Sequence, residues 1–169
     1  MIRAPEITAL REEEEQRSAR KYIFKPSIRP ASELKGHKDG QGTRYVFVDS
    51  KLVPAANFYT IVRVVKNVKE DKISHVDIHK HDCDSAFIFL GDSPNFEGLT
   101  CEVMLDDETF TVQSPATVYI PAGVMHTYRF ISGSGMYWNI VLSGDYNSRT
   151  MLQQQSIPFA AGRKEIIQP

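Results

Sequence analysis

The feature that most constrains the fold is a series of about nine short β-rich runs between residues 45 and 143. Each run is rich in Val, Ile, Thr, Phe or Tyr, as in YVFVD, NFYTIVRVV and SAFIFLG, and turn residues separate one run from the next. A loop is indicated at residues 91–98, and tight turns at Asp106–Asp107 and at Gly133–Gly135. Many short strands without intervening helices predict an all-β sandwich or barrel.

The segments on either side of this series have a different composition. Pro5 and Glu6 suit the first turn of a helix, so a helix is predicted over residues 5–22, followed by irregular chain rich in Pro and Gly. The predicted organisation is therefore an N-terminal helical and irregular extension (1–44), a barrel (45–143) and a C-terminal tail (144–169). The tail is expected to pack on the barrel or on a partner.

Composition and charge exclude several classes of protein. A chain of 169 residues suits one domain, and a formal net charge of −1 gives no strong attraction for nucleic acid or for an anionic membrane. No apolar run approaches the roughly 20 residues that span a bilayer, and the N-terminus has no apolar core of a secretory signal. Two cysteines, Cys83 and Cys101, are typical of reduced thiols, so a cytoplasmic protein is expected.

Three of the five histidines have a spacing that indicates a metal site. His79 and His81 are two residues apart on a predicted strand, so their side chains share one face. His126 follows the turn formed by residues 121–123, from which a strand would return to the same region. Three neutral imidazoles suit a divalent transition metal such as Fe(II), Zn, Ni or Mn.

These residues carry a resemblance to the cupin family. Residues 79–91 read HKHDCDSAFIFLG, which is similar to the first cupin motif with its His-x-His pair and closing Gly. Residues 121–126 read PAGVMH, which matches the Pro-x-Gly-x-x-His of the second motif. The resemblance covers roughly residues 45–143. It implies a jelly-roll, or double-stranded β-helix, barrel in which His79, His81 and His126 hold the metal, and it implies a homodimer.

The glutamate ligand of the first cupin motif is missing here. Counting forward from the second histidine places its position at Ser85, which shares strand parity with the His pair, whereas counting back from Gly91 places it at Asp84. One residue of register decides which of the two faces the site, and parity favours Ser85. With three histidines and no carboxylate, a metal keeps its full charge and favours an anionic ligand. With Asp84 as a ligand, fewer coordination positions would stay open.

Four further residues are candidates for lining a pocket. They lie on predicted strands of the barrel: Tyr59, Arg63, Tyr128 and Trp138. A buried guanidinium needs an anion, so Arg63 is a candidate anchor for a carboxylate or phosphate. Asp77 could orient a ligand imidazole, and Glu102 is an alternative acidic group for the site.

The sequence thus predicts a metal-binding cupin, an enzyme acting on a small polar or anionic metabolite. A dioxygenase is the first expectation from the three-histidine count, and a lyase or isomerase is the next. The alternative is a non-catalytic cupin that binds a small ligand and has lost its metal. No residue is assigned a catalytic role, and neither nucleic acid nor a membrane is expected as a partner.

Overall fold

The computed structural model describes residues 19–153 and the backbone of residues 163–164. Most of the regular structure is β-sheet. The strands are β1 (Ser27–Ile28), β2 (Thr43–Val48), β3 (Tyr59–Val68), β4 (His79–His81), β5 (Ser85–Gly91), β6 (Leu99–Leu105), β7 (Glu108–Gln113), β8 (Ala116–Ile120), β9 (His126–Val141), β10 (Thr150–Leu152) and β11 (Arg163–Lys164). One α-helix, α1 (Tyr146–Arg149), and two short 3-10 helices (Ala19–Tyr22 and Ala31–Glu33) complete the described elements.

Strand β9 is the centre of the sheet. Its first half pairs with β6, which continues to β7, and its second half lies between β3 and β5. Beyond these, β2 pairs with β3, β8 pairs with β5, and β4 lies between β10 and the first residue of β9. All these pairs are antiparallel; β11 runs parallel to β7. The predicted all-β fold class is confirmed.

The apolar core lies between two halves of this sheet, one that contains β5 and one that contains β6. Strand β5 alternates buried and partly exposed residues along its whole length, as expected for a strand with one face on the core. Phe87 and Phe89 from β5 pack with Leu99 and Val103 from β6 in one buried cluster. Because both halves contribute to the same cluster, they form one structural unit.

The turn predicted at Gly133–Gly135 is wrong, whereas the two-residue turn at Asp106–Asp107 is confirmed. Strand β9 runs through both glycines, which have φ angles of +98° and +154°. A Cβ atom at Gly133 would lie 1.8 Å from the carbonyl oxygen of Gly98, so the glycines allow close backbone contact where β9 passes from one set of neighbours to the other. The strands predicted before and after this turn are therefore one continuous strand, β9.

The flanking segments are seen in part. The helix predicted over residues 5–22 lies outside the described residues except for the 3-10 turn at Ala19–Tyr22. The first part of the C-terminal tail extends the sheet, since β10 pairs with β4. The domain boundaries themselves stay predictions. Within the described ranges, no helix has the length and apolar character needed to cross a membrane.

Candidate metal centre

The three predicted histidines come together at the point where β4 meets β9. His79 is the register partner of His126, and His81 lies two residues further along the same face of β4. The centres of the three rings are 4.3 to 5.1 Å apart, and the rings are 0 to 2% exposed. One nitrogen from each ring lies within 4.8 Å of the others, so the three can reach one metal ion.

Hydrogen bonds fix which nitrogen of each ring faces the centre. Nδ1 of His79 donates to the carbonyl of Asp77 at 2.8 Å, and Nδ1 of His126 donates to the carbonyl of Val124 at 2.9 Å. These two rings therefore keep their protons on Nδ1, and their Nε2 atoms are acceptors. Nε2 of His81 and Nε2 of His126 are buried and have no hydrogen-bond partner. Two orphaned lone pairs beside a third imidazole fit a divalent transition metal.

Burial keeps these histidines neutral. It lowers the pKa of His81 and of His126 to about 4. The pKa of His79 is lowered well below its usual value, first by burial and then by the charges of His126 and His81. A neutral imidazole is the form that binds a metal ion, so the site is ready for metal at neutral pH.

The structure places Ser85 inside and Asp84 outside. Ser85 is 3% exposed and shares its face of β5 with Phe87, whose ring centre is 5.5 Å from that of His126. The hydroxyl of Ser85 has no hydrogen-bond partner. The carboxylate of Asp84 instead accepts hydrogen bonds from the hydroxyl of Tyr119 and the backbone N–H of Ala122, which lower its pKa. Asp84 therefore holds the turn before His126.

Two residues of the C-terminal segment complete the centre, and the sequence did not predict either. The hydroxyl of Tyr146, in α1, lies 3.3 Å from Nε2 of His79. The hydroxyl of Thr150, in β10, donates to the carbonyl of Tyr146 at 2.7 Å and lies 3.5 Å from Nδ1 of His81. Asp145 caps α1 by accepting from the N–H groups of Asn147 and Ser148, and this cap was the available signal that a helix begins beside Tyr146.

The four predicted pocket residues divide between the interior and the surface. Tyr59, Arg63 and Tyr128 are 1 to 4% exposed, and the Tyr128 ring stacks on that of Tyr137 at 3.9 Å. The prediction for Trp138 is wrong, because its side chain is 37% exposed and its indole N–H donates to the hydroxyl of Thr60 on the outer face.

The two further acidic candidates do not take the predicted roles. The carboxylate of Asp77 pairs with Nζ of Lys38 at 2.6 Å, and it is the backbone carbonyl of Asp77 that orients His79. Glu102 is buried, but its carboxylate binds the guanidinium of Arg129 at 2.5 Å. Neither carboxylate is available to the histidines.

A large groove lies away from the histidines. It has a volume of about 1160 Å³ and runs between β5–β8 and β6–β7, with Leu90, Val103, Phe110 and Val118 among its lining residues. None of the three histidines lines it. The groove is therefore separate from the metal centre.

Comparison with known proteins gives a match in structure only. No protein-family model matches the chain, and no curated protein is significantly similar in sequence. Oxalate decarboxylase from Bacillus subtilis at pH 4.6 matches with 13% identity and a TM-score of 0.48, over 77% of this chain and 33% of that one. A deletion variant of the same enzyme matches with 14% identity and a TM-score of 0.47 over the same shares. This chain spans about a third of the length of those proteins.

The structure brings the two sequence motifs together. The His-x-His strand and the strand that follows the Pro-x-Gly-x-x-His turn pair at His79 and His126, and all three histidines of the motifs meet. The two motifs therefore meet as the resemblance to the cupin family implies. The histidines lie where β4, β9 and β10 meet, and Ser85 lies on the buried face of β5.

Proposed function

We propose that this cupin binds one divalent transition metal ion through Nε2 of His79, His81 and His126 and acts on a small anionic metabolite. The observation that supports the proposal most directly is the pair of buried, unpartnered Nε2 atoms of His81 and His126. Leaving such groups without a partner costs about 1–3 kcal/mol each, a cost that a bound metal removes.

The charge of the centre favours an anionic ligand. The rings are neutral, and neither Asp84 nor Glu102 directs its carboxylate to them. A divalent ion held there keeps its charge of +2, and when bound it would polarise an oxygen atom of its ligand. The hydroxyl of Ser85 is buried on the same face of β5 as Phe87 and is free to hydrogen-bond a ligand.

Metal analysis of the purified protein tests the first part. After EDTA treatment, titration with Mn(II), Fe(II), Ni(II) or Zn(II) is expected to show one site per chain. His81→Ala and His126→Ala should each abolish it, whereas His75→Gln, which removes a buried histidine outside the cluster, should retain it. Failure of the untreated and the EDTA-treated protein to hold or bind any of these metals would refute the proposal.

Among reactions, an oxygen-dependent cleavage is our first proposal because three histidines leave positions for both a chelating substrate and O₂. The test is O₂ consumption by the Fe(II)-loaded protein with a panel of thiols, β-diketones and keto acids. Turnover of a panel compound without O₂ uptake would instead indicate a lyase or isomerase.

A non-catalytic barrel that binds a small ligand is the second candidate. The hydrogen bond between Tyr146 and Nε2 of His79 favours it, because that contact satisfies one imidazole without any metal. This reading requires that ligand binding persist in EDTA-treated protein and in His81→Ala.

A further inference from the structure

Two buried arginines lie side by side on one face of the sheet. Arg44 on β2 is the direct register partner of Arg63 on β3, so both side chains lie on the same face of the sheet. Arg44 is 6% exposed and Arg63 is 3% exposed. Two like charges in this position repel each other, and burying a cation without a counter-ion is costly.

Among the described residues, the other buried arginine and the half-buried Arg129 both have carboxylate partners. Arg29 pairs with Asp49 at 2.9 Å, and Arg129 pairs with Glu102 at 2.5 Å. Within residues 19–153, no ion pair involves Arg44 or Arg63. Backbone carbonyls take part of their donors instead: Nη2 of Arg44 donates to Lys38 at 2.9 Å, and Nε of Arg63 donates to Gln41 at 2.6 Å. Nη1 of Arg63 is buried and has no partner.

The chain segment that supplies these carbonyls, residues 36–42, is held by hydrogen bonds to two other parts of the chain. Lys38 N–H donates to the carbonyl of His75, and the side chain of Gln41 donates to the carbonyl of Lys69. Gly40 lies so close to His75 that a Cβ atom there would be 2.6 Å from the ring. The segment therefore holds the two guanidinium groups in place without neutralising them.

Two carboxylates lie near this region and have other partners. Oδ1 of Asp39, whose charge acts on Arg44, accepts from the N–H of Ala31. Asp71 binds Nε2 of His75 at 2.6 Å and also accepts from Gln41 and from the N–H of Phe130. It forms no ion pair with either arginine. Among residues 19–153, no ion pair neutralises the arginine pair, so its donors can bind an external anion.

Strand register connects the arginines to the metal centre. Arg63 lies opposite Tyr137 on β9, and the next inward row along the same strands contains Asn139 and Phe87. Oδ1 of Asn139 is buried and unpartnered, and the Phe87 ring contacts that of His126. The arginines and the histidines therefore face one shared interior, about one side-chain row apart on this sheet.

We propose that Arg44 and Arg63 form an anion subsite that binds the oxyanion group, carboxylate or phosphate, of a small metabolite. A planar guanidinium offers paired N–H donors that suit such oxygens. The proposal deepens the proposed function, since the other end of the same metabolite would reach the metal held by the histidines. The anion subsite itself needs no metal.

The test measures anion binding to EDTA-treated full-length protein. Thermal unfolding is followed with increasing sodium malonate, sodium phosphate or sodium chloride at matched ionic strength. Malonate or phosphate is expected to raise the melting temperature saturably above the chloride series, and whichever acts at lower concentration identifies the preferred group. The apparent dissociation constant should weaken about tenfold or more in Arg63→Gln and in Arg44→Gln.

Lys66→Gln is the matched control, because it removes one positive charge from the exposed side of the same strand. It should retain the effect. Absence of a saturable effect in the wild type, or equal binding by Arg63→Gln and Lys66→Gln, would overturn the proposal. Two further titrations separate this outcome from failure of the metal site. The arginine variants should lose anion binding and keep metal binding, whereas His81→Ala should lose metal binding and keep anion binding.

Discussion

The hydroxyl of Tyr146 lies 3.3 Å from Nε2 of His79, the nitrogen that a metal ion would need. With Nδ1 of His79 donating to a backbone carbonyl, the tyrosine hydroxyl donates its proton to Nε2. Metal binding must therefore break this hydrogen bond. Tyr146 is fully buried, and burial raises the pKa of its hydroxyl, so it stays neutral at physiological pH.

Tyr146→Phe is expected to raise metal affinity about two- to tenfold, because the competing hydrogen bond is removed. Isothermal titration of EDTA-treated protein with Zn(II) or Mn(II) measures the change. Tyr59→Phe is the control: its ring lies 5.0 Å from Tyr146, and its hydroxyl has no partner. A loss of affinity in Tyr146→Phe would mean that the hydroxyl helps to hold the metal.

Ser85 and Asp84 are neighbours in the chain, but their side chains point to opposite sides of the sheet. Ser85→Glu places a carboxylate on the inward face of β5, so metal affinity should rise about tenfold or more through charge neutralisation. Titration of the metal-free variant beside the wild type measures it. Asp84→Ala should leave affinity unchanged and lower the melting temperature, since it removes the acceptor for Ala122 and Tyr119. If only Asp84→Ala changes metal affinity, the assignment of the two residues is wrong.

The histidine cluster could be predicted from the sequence because its determinants are local. A spacing of two residues on a strand fixes the common face of His79 and His81, and a short turn brings His126 beside them. Asn139 and Trp138 show where local reasoning fails. Along β9 the inward residues are Tyr128 and Phe130 before the glycines but Tyr137 and Asn139 after them. The parity changes at the bend, so Trp138 lies outside.

The arginine pair and Tyr146 depend on long-range placement. Arg44 and Arg63 meet through the register of β2 against β3, which has a shift between Val46 and Val48. Neither the shift nor the lack of an ion pair for these arginines among residues 19–153 is visible in local sequence. Tyr146 reaches His79 because α1 and β10 fold back along β4. Such contacts come from tertiary packing rather than from periodicity.

The two cysteines differ in accessibility, and both are free thiols. Cys101 is 0% exposed within the core, and burial raises its pKa strongly, so it should not react in the folded protein. Cys83 is partly exposed, and its pKa is raised first by burial and then by Asp82. A disulfide reagent at pH 8 should therefore modify Cys83 alone, and slowly. Cys83→Ser should abolish native labelling, and guanidinium should expose both thiols; rapid labelling of two thiols in native protein would contradict the packing.

The environment of His75 gives a pH dependence that involves Arg63. Burial, followed by the positive charge of Arg63, lowers the pKa of His75 to about 4, while Asp71 acts in the opposite direction. The unfolded chain, with a histidine pKa of about 6.5, binds more protons between these two values. Neutral His75 therefore costs no stability above about pH 6.5, and the protein loses on the order of 3 kcal/mol of stability as the pH falls towards 4.

Removing the nearby cation should raise this pKa. In Arg63→Gln the imidazole of His75 keeps the carboxylate of Asp71 at 2.6 Å and loses the repulsion from the guanidinium, so it should titrate at higher pH than in the wild type. The Cε1–H signal of His75, assigned with His75→Gln and followed by NMR in EDTA-treated protein, measures the shift. Lys66→Gln is the control for general charge, since its ammonium group is on the exposed face of β3. Identical titration of His75 in wild type and Arg63→Gln would show that the guanidinium does not act on this ring.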